Sequence, residues 1–292
     1  MKDSARVDIL CEGNNKVGFG HIKRSLTLAA QLRLDGVDVR LVGLSEQAKI
    51  MLPDAIENSP EPEVTIFDSP INIDEKISNL NKIGRFTIAL DHFGWATPDV
   101  NIVVFEHQRV RALRSSYIGF EFILIREEII RLRGSSPSGQ ASRVLVMVGG
   151  GDILGHGHIA AQILTTAGCD VTLIQGPFSD SSSQCTDYAI LKNPRDLPEL
   201  FVECDWAVTS GGGSLFEGLC LGKAVHVLPQ TAAESRIAQH VGSLQGILGL
   251  GLDSLRPYTP SEVATAGESG AGLVDGLGAL RISKIVKSCL LN

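Results

Sequence analysis

Aromatic residues and long hydrophobic runs are scarce in this sequence. Phe, Trp and Tyr make up 5% of the 292 residues, and no uninterrupted apolar stretch approaches the ~20 residues that a membrane-spanning helix needs. The first ten residues, MKDSARVDIL, lack the apolar segment of a secretory signal peptide. We therefore expect a cytoplasmic protein with no membrane span.

The sequence also lacks paired cysteines and an excess of positive charge. The six cysteines are scattered, without a Cys-x-x-Cys spacing, at positions 11, 169, 185, 204, 220 and 289. Several lie in apolar runs, so we interpret them as reduced and mostly buried thiols. The 26 Lys and Arg residues are outnumbered by 33 Asp and Glu, and the net charge of −7 argues against a general nucleic-acid-binding surface. It leaves room for a local basic site that binds an anionic small molecule.

Short apolar runs alternate with longer amphipathic stretches along most of the chain. VDILCE (7–12) is typical of a buried strand, residues 20–34 have the spacing of a helix, and VDVRLVGL (37–44) and FTIALD (86–91) continue the series. Strands separated by helical crossovers predict an α/β fold with parallel sheets covered on both faces. The segment TPSEVATAGESGAGLVDG has weak periodicity, and no element is predicted there.

A polar segment interrupts this alternation near the middle of the chain. RLRGSSPSGQASR (131–143) has the composition of a linker, and the alternation restarts with RVLVMVG (143–149). A length of 292 residues also favours two domains. We predict two Rossmann-like domains, 1–137 and 138–292, with parallel sheets that face each other across a cleft. Ligands bind beyond the carboxyl ends of strands in such sheets, so the cleft is the expected site.

A turn with few side chains precedes the first predicted helix, in VGFGHIKRSLTLAAQL (17–32). It does not match the pattern of a Walker phosphate loop. It also differs from the dinucleotide fingerprint, because Lys23 replaces the third glycine of that motif. His21 stands at the helix start, where the dipole disfavours an imidazolium, so we expect a neutral ring that can act as a general base. Arg24, on the same face, is expected to hold an anion or to orient the histidine. Alternatively, His21 only caps the turn and Arg24 is a solvated surface charge.

Two glycine-rich turns in the second half are candidates for binding a diphosphate. TSGGGSLFEG (209–218) joins a strand to a helix, where backbone N–H groups and the helix dipole favour an anion. Glu217, one turn into that helix, is placed to accept hydrogen bonds from ribose hydroxyls rather than to face the phosphates. The alternative is a plain turn followed by a surface glutamate.

The second turn is VGGGDILGHGH (148–158). Its glycines are placed to line the diphosphate, and Asp152 is expected to be a helix N-cap. His156 and His158 lack a third ligand at suitable spacing, so we interpret them as exposed loop histidines and not as a metal site.

Asp91 and His92 end another predicted strand. Asp91 is a candidate to orient His21 or to bind a sugar hydroxyl, although a strand-end aspartate without a special role is an equally good interpretation.

Five stretches together resemble one family of nucleotide-sugar enzymes. The family contains the UDP-2,4-diacetamido-2,4,6-trideoxy-β-L-altropyranose hydrolases of pseudaminic acid synthesis and spore-coat polysaccharide proteins. The matching stretches occur in order over most of residues 7–241: GFGHIKRSLTLAAQL, TIALDHFGW, FILIREEI, VLVMVGGGD and VTSGGGSLFEGLCLGKAVHVLPQ. The resemblance implies a GT-B fold, a UDP-sugar ligand, a histidine base at His21 and a ribose-binding role for Glu217. It also implies that no metal cofactor is required.

The candidate residues fall into three groups on this interpretation. The catalytic candidates are His21, Arg24 and Asp91. The nucleotide-binding candidates are Gly18, Gly20, Gly150, Gly151, Ser210, Gly211, Gly212, Gly213, Ser214 and Glu217. The substrate-pocket candidates are Phe19, His92, Phe93 and Glu234.

The sequence departs from the family pattern at three places. Phe93 replaces a tyrosine, Ala233 and Glu234 replace an Asn-Gln pair, and Ala224 replaces a proline. The first two changes fall in the implied sugar pocket.

The leading hypothesis is a UDP-sugar hydrolase of surface-polysaccharide or nonulosonic-acid biosynthesis, in which water attacks the anomeric carbon with inversion. A GT-B glycosyltransferase using an acceptor hydroxyl is the first alternative. The acidic segment LSEQAKIMLPDAIENSPEPE lacks the basic, apolar patch expected for a lipid-linked acceptor, which favours water. A non-catalytic nucleotide-sugar-binding protein is the second alternative, and the departures from the family pattern are its main support.

Overall fold

The computed structural model describes residues 6–14, 18–52, 61–104, 115–135, 141–149, 152, 154–176 and 187–291. The chain divides into two compact units: the first comprises Met1–Leu124 and Gly276–Asn292, and the second Ile125–Asp275. This division differs from the boundary predicted at 137/138. The second unit begins before the polar segment, and the chain returns to the first unit at its C-terminal end.

The first unit is built on a six-stranded parallel sheet with the strand order β2-β1-β3-β4-β5-β6. Its inward-facing residues are the apolar positions of the strands, such as Val7, Ile9 and Ile66, and the helix after β1 packs Leu28 and Leu32 against them. The elements are β1 (Arg6–Cys11), α1 (Gly20–Leu34), β2 (Asp38–Gly43), α2 (Glu46–Ile50), β3 (Val64–Asp68), α3 (Asp74–Lys82), β4 (Phe86–Leu90), β5 (Val100–Val103) and β6 (Ser116–Ile118).

The second unit repeats this architecture with the strand order β12-β11-β10-β7-β8-β9, again parallel throughout. Its core contains the alternating valines of β7 and the fully buried Trp206. The elements are α4 (Glu127–Arg131), β7 (Arg143–Met147), α5 (His156–Thr166), β8 (Asp170–Gln175), β9 (Ala189–Lys192), α6 (Leu197–Glu203), β10 (Trp206–Thr209), α7 (Gly213–Leu221), β11 (Ala224–Val227), α8 (Ala232–Ser243), β12 (Gly249–Leu250) and α9 (Pro260–Leu273).

Helix α9 forms in the segment for which the sequence predicted no element. Thr259 and Glu262 make a reciprocal capping box at its start, with Pro260 in the first turn. Its glycines permit close packing, since a Cβ on Gly267 would lie 2.5 Å from the carbonyl oxygen of Gly222. The helix is specified by its cap and by contact with its neighbours rather than by a strong apolar period.

The last helix, α10 (Gly278–Leu290), belongs to the first unit. It buries Ile282 and Val286 in the same core as α1 and β1. Ser283 donates a hydrogen bond of 2.5 Å to Asp35 at the end of α1. The sequence predicted this helix at 279–291 but assigned it to the second domain.

No helix in the described part of the chain is long and apolar enough to cross a membrane. The five described cysteines are free thiols, three of them buried, which agrees with the prediction made for them; Cys185 lies outside the described residues. Burial raises the pKa of Cys11 and of Cys204 to about 12, so neither is a reactive thiolate at neutral pH.

Candidate active site

The carboxyl ends of β1, β3 and β4 bring acidic side chains to one edge of the first sheet. Glu12 follows β1, Asp68 is the last residue of β3 and Asp91 follows β4. Parallel strands end at the same edge, so these residues collect there although they are far apart in sequence. Helix α1 begins beside them at Gly20 and carries His21 in its first turn.

His21 is paired with Asp68. The distance between His21 Nδ1 and Asp68 Oδ1 is 2.6 Å, and the Asp68 side chain is completely buried. Burial alone raises the pKa of Asp68, but the charge of Arg24 and the hydrogen bonds from Arg24 and His21 outweigh it and hold the pKa below its ordinary value. An ionised carboxylate only accepts hydrogen bonds, so Nδ1 carries the proton. In the neutral ring Nε2 then has a lone pair that can take a proton from water or a hydroxyl.

Arg24 joins two of these carboxylates. Its Nε donates to Asp68 at 2.8 and 2.9 Å, and its Nη1 donates to Asp91 at 2.7 Å. The Nη2 atom is buried and lies 2.6 Å from Asp68 Oδ1, without the alignment of a hydrogen bond. Burial lowers the pKa of Arg24, but the two carboxylates raise it more and keep the guanidinium charged. The structure therefore engages Arg24 with acids and uses it to orient His21 indirectly, through Asp68.

One interpretation of the sequence had Asp91 orienting His21, and the structure does not show this contact. Its two carboxylate oxygens accept hydrogen bonds from Arg24 and from the backbone N–H of Val104. It adopts a left-handed backbone conformation, with φ of 51°, which is uncommon outside glycine. The carboxylate that contacts His21 is Asp68, which was not predicted from the sequence. The available signal was its position directly after the apolar run EVTIF (63–67).

The structure gives His92 a different role from the predicted substrate contact. Its side chain is 7% exposed, with Nε2 at 3.1 Å from the carbonyl oxygen of Ala96 and 3.2 Å from Asp74. These contacts hold the loop after β4. Phe93 is 39% exposed beside it, whereas Phe19 packs against the core of the first unit.

The turn before His21 is tighter than its composition suggested. Gly18 and Asn14 exchange two backbone hydrogen bonds, and Gly18 has a φ of 77°, which glycine adopts without strain. Gly20 begins α1, and no described residue would come within 4 Å of a Cβ placed on it.

In the second unit, the glycine-rich turn after β10 leads directly into α7. No side chain in the described part of the chain caps the first turn of this helix, and Gly213, its first residue, is exposed. A Cβ on Gly213 would meet nothing within 4 Å, whereas one on Gly211 would lie 2.6 Å from the carbonyl oxygen of Glu234. Ser210 is buried and Ser214 is partly exposed. The start of α7 thus presents backbone N–H groups in open space, an arrangement that suits an anion.

Glu217, one turn into α7, forms a salt bridge with Arg126. Arg126 Nε donates to Oε1 at 2.7 Å and Nη2 donates to Oε2 at 2.9 Å, a two-point contact. Burial lowers the pKa of Arg126, but Glu217 raises it more, and the net shift is upward. Arg126 lies in the stretch FILIREEI, immediately before α4, and no role was predicted for it.

The turn after β7 differs from the prediction in two ways. Asp152 was predicted as the N-cap of the helix, but the N-cap residue is Gly155; the carboxylate of Asp152 instead accepts hydrogen bonds from the first backbone N–H groups of α5, those of His156 and Gly157, both at 2.9 Å. His156 and His158 lie on α5 and are partly buried, not exposed in a loop. His158 Nδ1 is 2.8 Å from the hydroxyl of Tyr188, and among the described residues the buried Nδ1 of His156 has no hydrogen-bond partner.

Gly150 and Gly151, two of the nucleotide-binding candidates, lie outside the described residues. Within the described ranges, no group of three His, Cys, Asp or Glu side chains has the arrangement of a metal site.

Glu234 lies against the glycine-rich turn of the second unit. Its Oε2 accepts a hydrogen bond of 2.7 Å from the backbone N–H of Gln230, and its Oε1 would lie 3.3 Å from a Cβ on Gly212. A cavity of about 460 Å³ adjoins the start of α8, with a lining of Leu154, His156, Leu228, Pro229, Gln230, Thr231, Ala232, Ser235, Leu250 and Gly251. A carboxylate therefore stands beside the start of α7, where relatives were expected to carry an amide.

Comparison with known proteins identifies the fold and one local sequence likeness. No family model matches the chain. The spore coat polysaccharide biosynthesis protein SpsG of Bacillus subtilis is 29% identical over 112 residues, which cover 34% of this chain and 33% of SpsG. The match thus spans about a third of that protein.

Solved structures resemble the chain over nearly its whole length. Acinetobacter baumannii MurG has a TM-score of 0.67 and 9% identity, covering 97% of this chain and 99% of its own. The kitacinnamycin glycotransferase has a TM-score of 0.68 and 14% identity, covering 98% and 99%. VinC, a glycosyltransferase solved with dTDP, has a TM-score of 0.58 and 12% identity, covering 98% and 100%. These likenesses confirm the predicted α/β fold of two Rossmann-like units, of the GT-B glycosyltransferase type.

Proposed function

We propose that this protein hydrolyses a UDP-sugar in the biosynthesis of a surface polysaccharide or a nonulosonic acid such as pseudaminic acid. The pairing of His21 with the buried, ionised Asp68 carries the proposal. It provides a base whose proton is held on Nδ1, at the carboxyl end of a strand. The local likeness to SpsG supports the polysaccharide context, and the glycosyltransferase fold supports a nucleotide sugar as the substrate.

In the proposed reaction, Nε2 of His21 takes a proton from a water molecule as its oxygen attacks the anomeric carbon. The bond from that carbon to the diphosphate oxygen breaks, and UDP leaves from the opposite face, which inverts the anomeric centre. Asp68 stabilises the imidazolium that forms, while Arg24 keeps Asp68 ionised and in place.

The second unit would bind the nucleotide. The uncapped start of α7, at Gly212 and Gly213, offers backbone N–H groups and a favourable dipole to the diphosphate. Glu217 lies one turn further along α7 and would accept hydrogen bonds from the ribose. These groups offset the charge of the departing UDP, so the proposed reaction requires no metal cofactor.

A glycosyltransferase is the second candidate, and it is favoured because several of the solved structures that resemble the chain are glycosyltransferases. The same base would then deprotonate an acceptor hydroxyl in place of water. The two reactions differ only in the nucleophile that reaches Nε2 of His21.

A panel of UDP-sugars, assayed for released UDP with and without acceptors, tests the proposal. We expect release without an acceptor, and we expect His21→Ala to lower turnover by about 10²- to 10⁴-fold because it removes the general base. UDP affinity should stay within about twofold, since His21 is not a proposed nucleotide ligand. His240→Ala, an exposed histidine on α8, is the matched control and should retain full turnover.

The other outcomes separate the alternatives. Release that depends on an acceptor would assign a transferase, and UDP binding without any release would assign a non-catalytic binding protein. Full turnover by His21→Ala would remove His21 from the chemistry.

A further inference from the structure

We propose that Arg126 is a positioning residue that makes the nucleotide site selective for ribose over deoxyribose, by holding Glu217 ionised and in one orientation, with a position free to accept a hydrogen bond from the 2′-hydroxyl. This inference rests on the proposed function, in which Glu217 binds the ribose. It concerns a residue outside the glycine-rich turn, at the point where the second unit begins.

The direction of Glu217 follows from its place on α7. It stands four residues after Gly213, so the two residues lie on the same face of the helix, one turn apart. Side chains on a helix tilt toward its N-terminus, which brings the carboxylate of Glu217 back over the first turn. The carboxylate therefore lies on the same face as Gly213, one turn along the helix from the end where the diphosphate is proposed to bind.

The contact with Arg126 occupies only part of the carboxylate. Two oxygens offer four lone-pair positions, and Arg126 takes one on each oxygen through Nε at 2.7 Å and Nη2 at 2.9 Å. One position on each oxygen remains, and these two positions point to opposite sides of the carboxylate. One of them can accept a hydrogen bond from a ribose hydroxyl, which has a proton to donate.

The pair also fixes the conformation and the charge of Glu217. Arg126 is the only side chain bonded to Glu217 among the residues that the structure describes, and the side chain of Glu217 is 16% exposed. A planar guanidinium that donates twice restricts the carboxylate to one orientation, which a lysine would do less well. It also favours the ionised carboxylate, which can accept hydrogen bonds but cannot donate one.

Selectivity is the consequence. A nucleotide without its 2′-hydroxyl leaves one acceptor of a half-buried carboxylate unpaired, and such a loss is severe where the site is rigid. Without Arg126, the carboxylate of Glu217 can rotate and form hydrogen bonds with water. The absence of the 2′-hydroxyl then costs less binding affinity. Arg126 thus acts on the nucleotide through Glu217 and without touching it.

Titration calorimetry with UDP and 2′-deoxy-UDP tests this inference on the full-length protein. We expect the wild type to prefer UDP by about tenfold or more, the usual effect of a lost hydrogen bond to a charged group. In Arg126→Ala the preference should fall below about threefold, mainly through weaker binding of UDP. Arg126→Lys should restore part of it, and Glu217→Gln should also reduce it. Arg131→Ala, which removes an exposed pair with Glu127 on α4, is the matched control and should keep the wild-type ratio.

Each other outcome is decisive. Arg126→Ala with the wild-type ratio, or with both affinities lowered equally alongside a lower Tm, would make Arg126 purely structural and overturn the inference. If Arg126→Ala does not fold, Arg126→Lys with an unchanged ratio overturns it equally. A wild type that binds both nucleotides equally overturns the inference but leaves the proposed hydrolysis standing if UDP is released. A wild type that neither binds UDP nor releases it contradicts the proposed function itself.

Discussion

Asp68 is the residue around which the charged side chains of the first unit are arranged. It is fully buried and accepts hydrogen bonds from Arg24 and from the hydroxyl of Ser25, in addition to its contact with His21. Burying a carboxylate is costly unless it is paired and bonded on both oxygens, as it is here. This buried carboxylate lies at the end of β3 and beside the start of α1, where it contacts His21, the proposed base.

At this scale we predict the effect of Asp68→Asn. The substitution keeps the side-chain volume but removes the charge that would stabilise a protonated His21, so kcat should fall by about 10²- to 10⁴-fold. UDP affinity should change little, because Asp68 is not a proposed nucleotide ligand. Steady-state kinetics and UDP titration check both statements, with the exposed Asp170→Asn as control. Normal activity in Asp68→Asn together with a loss in Asp91→Asn would contradict this assignment.

The sequence suggested Asp91 as one candidate to orient His21, whereas the structure pairs His21 with Asp68, and the order of the strands explains the difference. β4 follows β3 in the chain, but the sheet order β1-β3-β4 places Asp68 on the strand next to β1 and Asp91 one strand further away. Strands lie roughly 4.8 Å apart, more than a hydrogen bond can span. Periodicity reveals that strands exist, but their order depends on packing across the whole sheet.

Among the elements, the turn between β10 and α7 contains glycines with two different roles, one in packing and one in ligand access. Gly211 faces the backbone of Glu234 at the start of α8, so it permits close packing. Gly213 faces open space, so it permits the approach of a ligand. Sequence reasoning assigned both to nucleotide binding because their contacts are invisible in a run of three glycines.

Gly211→Ala and Gly213→Ala should therefore behave differently. A Cβ at 211 would lie 2.6 Å from a carbonyl oxygen of the backbone, and the required shift should lower the free energy of unfolding by about 1–3 kcal/mol. A Cβ at 213 clashes with nothing, so stability should be kept while UDP affinity falls. Urea unfolding and UDP titration of the two variants measure this, and a reversed pattern would contradict the roles given to the two positions.

At the scale of the whole molecule, the buried His226 links stability to pH. The ring is fully buried on β11, with Nδ1 at 2.7 Å from the hydroxyl of Tyr258 and Nε2 at 2.9 Å from the carbonyl oxygen of Gly251. Burial lowers its pKa from 6.5 to about 4, partly opposed by the bond to Gly251. The folded protein therefore keeps this ring neutral at pH values where the unfolded chain already binds a proton.

The lowered pKa of His226 determines how the stability of the protein depends on pH. Protonation below pH 6.5 stabilises the unfolded chain, so the free energy of unfolding should fall by about 3 kcal/mol as the pH drops from 6.5 to 4. His226→Gln should lack this part of the acid destabilisation, although its stability at pH 7 should be lower. Urea unfolding at a series of pH values checks this, with the exposed His240→Gln keeping the wild-type dependence. An equal slope in His226→Gln and the wild type would contradict it.

The return of α10 to the first unit has a consequence for how the chain folds as it is made. Ile282 and Val286 complete a core whose strands are synthesised first, yet every element of the second unit is translated between them. During translation the second unit can acquire its full core before the first does, and the strands carrying Asp68 and Asp91 wait for a helix encoded more than a hundred codons later. The half that carries the proposed base is thus finished last, after the half proposed to hold the nucleotide.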